Sequence, residues 1–115
     1  MSAHIFSDLK NCSSGLTYSK KTITRIEQAV KESGMHRKKT TAHRFPNGAY
    51  SLCIILAESH IAIHTWPENE AANVDVFLCD FTGDNDRKAE LLFDKIAAIF
   101  NTPKKPARKI IKRTP

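Results

Sequence analysis

Hydrophobic side chains recur at helical intervals in two segments of the chain. Between residues 19 and 33, Ile23, Ile26 and Val30 fall on one side of a helix, and lysine and arginine side chains surround the other side. Between residues 86 and 100 the apolar stripe is broader and consists of Ala89, Leu92, Phe93, Ile96, Ile99 and Phe100. This periodicity predicts two amphipathic helices, each with one face available to cover a sheet.

Shorter segments around these helices have the alternating or continuous apolar character of β-strands. The predicted strands cover residues 4–9, 49–58, 60–66, 74–79 and 107–112, and the polar residues 37–45 could form a further, partly exposed strand. Pro46-Asn47-Gly48 and Gly83-Asp84 predict turns. We write the element order as β-α-β-β-β-α-β. This order favours a single α+β domain, a two-layer sandwich with an antiparallel sheet and both helices on one face.

The composition of the 115 residues fits one globular domain, because 41% of them are hydrophobic and 26% are charged. The formal charge of +6 comes entirely from the C-terminal segment. Its six basic residues are Lys104, Lys105, Arg108, Lys109, Lys112 and Arg113. A nucleic-acid-binding surface would normally run through the fold, so we expect no nucleic-acid partner and attribute the charge to a basic tail.

The sequence predicts neither export nor a membrane span. No apolar run approaches the roughly 20 residues that a spanning helix needs, and residues 1–8 lack the basic and apolar regions of a signal peptide. The three cysteines have no CxxC spacing, and any disulfide would leave one of them over. We therefore expect reduced thiols in a cytoplasmic protein, and no structural zinc site.

Four residues are candidates for chemistry. Ser59 follows an apolar segment, His60 and His64 lie on one face of the next predicted strand, and Cys79 ends the strand after that. Residues four apart in a strand stand about 13 Å apart, too far for one metal ion to bridge, so we expect no metal. The residue types would suit a Ser-His or Cys-His nucleophile, but no esterase or cysteine-protease signature surrounds them. Ordinary structural roles are the commoner explanation for each residue taken alone.

Residues 56–68 have the sequence Leu-Ala-Glu-Ser-His-Ile-Ala-Ile-His-Thr-Trp-Pro-Glu. This segment resembles the self-cleavage segment of the prokaryotic S-adenosylmethionine decarboxylases, which are small pyruvoyl-dependent enzymes. Three further segments resemble the same family at matching intervals. Residues 4–12 are similar to its first strand, His-Arg-Phe-Pro at 43–46 to the segment before the cleavage strand, and residues 73–79 to the strand with the catalytic cysteine. The resemblance therefore covers most of the chain.

This resemblance implies that the chain is a zymogen that cleaves itself between Glu58 and Ser59. The Ser59 Oγ would attack the Glu58 carbonyl, and the resulting ester would eliminate to give chains 1–58 and 59–115, the second beginning with a pyruvoyl group. His64 matches the family's processing base, a task that suits an imidazole because it exchanges protons near neutral pH. Ser51 matches a serine that assists processing by hydrogen-bonding the intermediate.

The implied cofactor is this covalent pyruvoyl group, which forms a Schiff base with the substrate and accepts electrons as carbon dioxide leaves. Cys79 matches the family's proton donor, and thiols are largely protonated at neutral pH. Decarboxylated S-adenosylmethionine would supply aminopropyl groups for spermidine and polyamine biosynthesis. The family also implies a homodimer of cleaved protomers with active sites near the interface.

Three residues match substrate-binding positions of the family. Phe45 matches an aromatic side chain that stacks on adenine, Glu68 matches a carboxylate that holds ribose hydroxyls, and Trp66 lies near the same site. The neighbouring sequence departs from the family's pattern. The usual Tyr-Gly-Tyr-Ala-Ala after Trp-Pro-Glu is replaced by Asn-Glu-Ala-Ala-Asn at 69–73, and the usual Gly-Val-Ser by Ala-Tyr-Ser at 49–51.

These departures leave two alternatives to S-adenosylmethionine decarboxylation, which we favour. An added carboxylate at Glu70 could favour ornithine or arginine as the substrate of the same pyruvoyl chemistry. A non-catalytic homologue, or a nucleic-acid-binding module that uses the basic tail, is the alternative from another class. The presence of Ser59, His64 and Cys79 argues against a non-catalytic homologue.

Overall fold

The computed structural model describes residues 2–79 and 86–114, and these residues contain six strands and two α-helices. The strands are β1 (Ser2–Leu9), β2 (Arg37–Arg44), β3 (Tyr50–Leu56), β4 (His60–Trp66), β5 (Ala71–Cys79) and β6 (Lys109–Arg113). The helices are α1 (Lys20–Glu32) and α2 (Asp86–Phe100), and a 3-10 turn at Pro67–Asn69 joins β4 to β5. The predicted turn at Gly83-Asp84 lies outside the described residues.

The strands form one antiparallel sheet in the order β2-β3-β4-β5-β1-β6, so the predicted α+β class is confirmed. The predicted order β-α-β-β-β-α-β is wrong in one respect, because four strands rather than three lie between the helices. The polar segment Arg37–Arg44 is a full strand that pairs with β3. It lies at the edge of the sheet with nearly every side chain exposed, which explains why it lacks hydrophobic alternation.

Both helices cover the same face of the sheet. Alternate side chains of the central strands point into one core with the apolar stripes of the helices, and this core includes Ile5, Leu52, Ile54, Ile61, Ile63, Val74, Val76, Ile26, Val30, Leu92, Phe93, Ile96 and Phe100. In the described part of the chain, no helix covers the opposite side, which we call the open face. It carries the side chains of His4, Phe6, Asp8, Ser51, Cys53, Ile55, His60, Ala62, His64, Trp66, Asn73, Asp75, Phe77 and Cys79.

Helix α1 is flanked by two serines whose hydroxyl groups form hydrogen bonds with backbone atoms at its ends. The Ser19 hydroxyl accepts a hydrogen bond from Thr22 N at 3.0 Å, and the Ser33 hydroxyl donates to Ala29 O at 2.8 Å. The first bond satisfies an N–H group that the start of a helix leaves without a partner, and the second adds to the backbone bond from Ser33 N to Ala29 O. The predicted helix at 19–33 is therefore confirmed, with its two end residues acting as caps.

Two turns at the ends of β3 position the residues of interest. In the turn before β3, Gly48 N donates to Phe45 O at 3.0 Å, and Gly48 adopts a φ of +90°. In the turn after β3, Leu56 N donates to Ser59 O at 2.9 Å. The predicted strand at 49–58 is thus shorter than expected, and the Glu58–Ser59 peptide bond lies in the tight β3–β4 hairpin turn.

Candidate active site

Ser59 lies beside the end of β5. Its Oγ accepts a hydrogen bond from the backbone N–H of Cys79 at 2.9 Å, and both residues are half-buried. This contact joins the hairpin turn to β5, the strand that neighbours β4 in the sheet. The serine of a turn and the backbone of a cysteine are thereby brought together although 20 residues separate them in sequence.

Ser51 and His64 form a second pair, which lies farther along the open face. The two residues are direct partners in the β3–β4 register, and a hydrogen bond of 2.8 Å joins Ser51 Oγ to His64 Nδ1. His64 is exposed to solvent, so its other ring nitrogen is accessible. The pair has the arrangement of an imidazole oriented by a neighbouring hydroxyl, which suits a proton-transfer group.

The two pairs are far apart within one chain. His60 and His64 lie on the same strand, four residues apart, which corresponds to about 13 Å of extended backbone. Ser59 lies beyond His60, so the His64 imidazole is farther still from the Ser59 hydroxyl. The predicted catalytic residues therefore fall into two groups at opposite ends of the open face.

A cavity of about 450 Å³ adjoins the Ser51–His64 pair. Its size falls within the range of small-molecule sites. Phe45, Trp66 and Glu68, the three predicted substrate-binding residues, all line it together with Ser51 and His64. The remaining lining residues are Pro46, Asn47, Ala49 and Thr65.

Asn47 fixes one wall of this cavity, and the sequence had indicated only that it belongs to a turn. Its Nδ2 donates to Glu68 Oε2 at 3.1 Å, and its Oδ1 accepts from Ala49 N at 3.1 Å. The carboxylate of Glu68 is thus held by a side chain 21 residues away. Pro46-Asn47-Gly48 indicates a turn in the sequence, but the contact with Glu68 is visible only in the folded structure.

Thr65 and Tyr50 build the floor beneath the cavity. The buried Thr65 hydroxyl accepts from Tyr50 N at 2.9 Å, and the Tyr50 hydroxyl donates to Gly15 O at 2.7 Å. Burial raises the pKa of Tyr50, so its phenol stays neutral and acts as a structural donor. The Thr65–Tyr50 bond ties β3 to β4 next to Ser51 and His64, and the Tyr50–Gly15 bond ties β3 to the loop before α1.

Glu70 does not line the cavity. It is exposed at the end of the 3-10 turn, with a φ of +50°, and its backbone carbonyl accepts from Cys12 N at 2.8 Å. Burial, and secondarily the Glu70 charge, raise the pKa of the Cys12 thiol, whereas a backbone hydrogen bond to Ala72 opposes the rise. The carboxylate that suggested ornithine or arginine as substrate therefore lies outside the pocket of a single chain.

An aromatic cluster surrounds Phe77 at the Ser59–Cys79 end of the open face. The His60 ring stacks on Phe77 with centroids 5.3 Å apart, and the Arg113 guanidinium lies 5.2 Å from the centre of the same ring. Burial lowers the pKa of the neighbouring His4; Arg113 and His60 act in the same direction and Asp75 opposes them. The cluster thus favours a neutral His4.

The basic tail takes part in the fold. Arg108 forms ion pairs with Asp94 at 2.6 Å and Glu90 at 3.7 Å, and Lys112 forms one with Asp86. Two of the six tail cations are therefore neutralised by α2. In the described residues, no group of three or more His, Cys, Asp or Glu side chains could hold a metal ion, and neither helix is long and apolar enough to span a membrane.

Known proteins resemble this chain in both sequence and fold. A family model described as S-adenosylmethionine decarboxylase matches residues 3–112. A relative from Pyrobaculum arsenaticum, named S-adenosylmethionine decarboxylase proenzyme, is 32% identical over 82% of this chain and 77% of its own length. A relative of the same name from Carboxydothermus hydrogenoformans is 30% identical over 94% and 86%, respectively. The crystal structure of the adenosylmethionine decarboxylase from Aquifex aeolicus superimposes with a TM-score of 0.84, at 29% identity, over 98% of this chain and 90% of that one. The chain therefore belongs to the S-adenosylmethionine decarboxylase family.

Proposed function

We propose that this chain is a self-processing, pyruvoyl-dependent decarboxylase that acts on S-adenosylmethionine and supplies the aminopropyl donor for polyamine biosynthesis. The observation that carries the proposal is the hydrogen bond from Cys79 N to Ser59 Oγ, because it holds the hydroxyl of the cleavage position against the backbone of the residue that is the expected proton donor. Family membership supports the same reaction.

Self-cleavage begins with attack of the Ser59 Oγ on the carbonyl carbon of Glu58, which replaces the peptide bond by an ester. Removal of the Ser59 Cα proton then expels the Glu58 carboxylate and leaves a dehydroalanine, whose tautomer is hydrolysed to the ketone with release of ammonia. The hairpin turn supports the first step because it presents Glu58 and Ser59 outside regular strand pairing. The products are chains 1–58 and 59–115.

The surroundings of Ser59 fit the pyruvoyl group that would replace it. Residue 59 is half-buried, and the expected proton donor, Cys79, is in direct contact with it through its backbone. Once formed, the group supplies an electron sink for decarboxylation. Cys79 then delivers a proton to the substrate carbon.

Sheet pairing holds the two products together after cleavage. The first product contains β1, β2 and β3, and the second contains β4, β5 and β6. Strand β1 lies between β5 and β6, and β3 pairs with β4, so three of the five pairings in the described sheet join different products. Separation of the products would break these ladders and expose the shared core.

The cavity beside His64 receives the adenosine part of the substrate. Phe45 and Trp66 are each a little under half exposed, so both rings offer a surface for stacking. The Glu68 carboxylate, oriented by Asn47, accepts hydrogen bonds from the ribose hydroxyls. The reacting carbon must nevertheless reach residue 59, which lies beyond the far end of β4.

A homodimer resolves this separation. Two copies that pack open face to open face about a two-fold axis bring the Ser51–His64 end of one chain over the Ser59–Cys79 end of the other. Packed sheets lie about 10 Å apart, which is within reach of facing side chains. The apolar side chains Phe6, Ile55 and Phe77 on the open face support burial of this surface. We therefore propose that each active site uses residues of both chains.

The cytoplasm is the compartment that we propose for this enzyme, because Cys12, Cys53 and Cys79 all carry thiols rather than disulfides. Reduced thiols are ordinary in that compartment.

Intact-mass analysis of the purified protein tests self-cleavage. We expect two products that divide between residues 58 and 59, and a second product without a free amino group. The variant Ser59→Ala should remain one chain, because it lacks the attacking oxygen, whereas Ser51→Ala retains it and should cleave more slowly. Cleavage at the same bond in Ser59→Ala would contradict the scheme.

Release of labelled carbon dioxide tests the substrate. The cleaved protein is incubated in turn with carboxyl-labelled S-adenosylmethionine, ornithine and arginine, and Ser59→Ala serves as the control. We expect release from S-adenosylmethionine. Release from ornithine or arginine alone would keep the pyruvoyl chemistry but overturn the proposed substrate.

A further inference from the structure

Trp66 is held in place by a hydrogen-bonded chain that runs across three strands of the open face. The Trp66 Nε1–H donates to Asn73 Oδ1 at 2.7 Å, and the Asn73 Nδ2–H donates to Asp8 Oδ1 at 2.7 Å. Both distances are short for N–H···O bonds, and the second bond has a charged acceptor, which makes it stronger than a neutral one.

Strand register accounts for this chain of contacts. Asn73 and Asp8 are direct partners in the β5–β1 register, so their side chains stand side by side on the open face. Trp66 pairs with Ala71 in the β4–β5 register, which makes Asn73 its diagonal neighbour. Diagonal positions are about 7–8 Å apart, a distance that an indole can span but a shorter side chain cannot.

The chain of contacts fixes a wall of the substrate cavity. Trp66 lines the cavity and is 46% exposed, so packing alone leaves much of its ring unsupported. Asn73 and Asp8 do not line the cavity. Asn73 is the direct β4–β5 partner of His64, and its side chain bonds to the indole. The family's usual pattern has alanine at the place of Asn73, and an alanine offers no side-chain acceptor to the indole.

We propose that Asn73, anchored by Asp8, is a positioning residue that fixes the plane of the Trp66 indole for stacking against the substrate. The proposal rests on the proposed function for the identity of that substrate. Ordering the ring before the substrate arrives reduces the entropy that binding must offset, and thereby lowers KM. The proposal gives Asn73 no part in proton transfer, so kcat, the turnover rate of the enzyme–substrate complex, should stay unchanged.

The fluorescence of Trp66 tests the first half of this proposal without any substrate. Trp66 is the only tryptophan of the chain, so the emission reports this side chain alone. In Asn73→Ala we expect emission shifted to longer wavelength, stronger quenching by acrylamide and lower anisotropy than in the wild type. The matched control Asn69→Ala makes the same change three residues from Trp66 and should keep wild-type emission.

Exchange of the two polar groups provides a rescue. Asn73→Asp alone places two carboxylates side by side and should disturb the emission as Asn73→Ala does. The double variant Asp8→Asn/Asn73→Asp restores one amide and one carboxylate, and the carboxylate can accept from both the indole and the amide. We expect the double variant to recover the wild-type emission and quenching.

Kinetics on the cleaved protein test the second half. Turnover is expressed per cleaved chain, so that incomplete processing does not enter the result. Asn73→Ala should raise KM for S-adenosylmethionine about five-fold, the factor for one lost hydrogen bond, and leave kcat within about two-fold. The double variant Asp8→Asn/Asn73→Asp should return KM to the wild-type value.

Three results would overturn the proposal: wild-type emission in Asn73→Ala, altered emission with unchanged KM, or failure of the double variant to recover either quantity. A wild-type protein that cleaves but does not decarboxylate S-adenosylmethionine would overturn the proposed substrate instead. In that case the emission of the variants still decides whether Asn73 fixes Trp66.

Discussion

Cys79 meets Ser59 through its backbone, and this separates two steps that involve the same residue. The N–H that holds the Ser59 Oγ is present whatever side chain residue 79 carries, whereas the expected proton transfer to substrate needs the thiol. Residue 79 can therefore support self-cleavage without its sulfur.

We predict that Cys79→Ala cleaves as the wild type does but turns over at least about 100-fold more slowly, which is the usual range for loss of a general acid. The comparison is Cys53→Ala, which removes an exposed thiol on the same face of the sheet. Gel analysis measures cleavage, and carbon dioxide release measures turnover. An uncleaved Cys79→Ala chain would show that the side chain, rather than the backbone N–H, is needed for processing.

A second residue, His4, links stability to pH. Burial is the main cause of its lowered pKa, so the folded chain binds a proton at His4 less readily than the unfolded chain, whose histidine has the ordinary value of 6.5. The unfolded state takes up the proton first as pH falls, and folding therefore loses stability below about pH 6.5. Above that pH both states are neutral at His4 and the contribution is constant.

We predict that His4→Gln reduces the fall in unfolding free energy between about pH 7.5 and about pH 5.5, measured by urea denaturation. His36→Gln makes the same substitution at an exposed histidine in the loop before β2, and the difference between the two variants measures the contribution of His4. An unchanged pH dependence in His4→Gln would show that other groups cause it.

The sequence pointed to individual residues but did not reveal their contacts. The string around Ser59 pointed to Glu58, Ser59 and His64, but the Cys79 N–H contact depends on where the hairpin turn ends. Asn47, Asn73 and Asp8 escaped notice because each has an ordinary local explanation, a turn or a strand position. Their partners lie 21, 7 and 65 residues away along the chain.

Among the elements, the turn between β2 and β3 places Phe45 and Asn47 at the mouth of the cavity. This turn depends on Gly48, whose φ of +90° is unfavourable for other residues. A Cβ at this position would also stand 2.9 Å from Thr17 Cγ2. Two separate costs therefore oppose any side chain at residue 48.

We predict that Gly48→Ala lowers the unfolding free energy by about 2 kcal/mol or more, measured by urea denaturation, because the positive φ alone costs about 1 kcal/mol. Gly34→Ala isolates that backbone cost, since Gly34 has a φ of +81° and its nearest neighbour would be 4.0 Å away. Thr17→Ser/Gly48→Ala removes the clashing methyl group and should approach the loss seen in Gly34→Ala. Equal losses in the two alanine variants would contradict the steric contribution.

Periodicity predicted the helices well and the strands unevenly. The stripe of Ile23, Ile26 and Val30 and the flanking serines indicated both ends of α1, because helix caps are local features. Strand β2 was left out of the predicted order, because an exposed edge strand has no buried side to impose alternation. The apolar run before Ser59 did not indicate that β3 ends at Leu56, since the turn is set by pairing with β4.

Across the whole molecule, the open face explains why one chain contains all the expected groups and yet no complete site. His64 lies on the open face, and Ser59 lies in the turn beyond the opposite end of β4, so nearly the whole strand separates them. The predicted strand already indicates this separation, because residues four apart in a strand stand about 13 Å apart, but the sequence does not indicate how the distance is bridged. The two-fold packing that we propose turns this distance into a requirement for the partner chain.

Mixed dimers test that requirement. We predict that the Ser59→Ala chain alone is not cleaved and that the His64→Ala chain alone is cleaved slowly or not at all. Co-expression of the two should restore cleavage of the His64→Ala chain. In a mixed dimer the Ser59→Ala chain supplies the imidazole and the His64→Ala chain supplies the hydroxyl. With equal expression about half of the His64→Ala chains should be in mixed dimers and be cleaved, as intact-mass analysis can measure.

The control replaces Ser59→Ala by the double variant Ser59→Ala/His64→Ala, which forms the same dimers but brings no imidazole. Because both chains of this control lack His64, the His64→Ala chain should be cleaved no faster than it is alone. Suppose that the first mixture contains dimers by light scattering and still shows no more cleavage than the separate chains. That result would mean that the partner's His64 does not act on Ser59. Cleavage restored equally in both mixtures would attribute the rescue to dimer formation alone and would likewise reject a shared site.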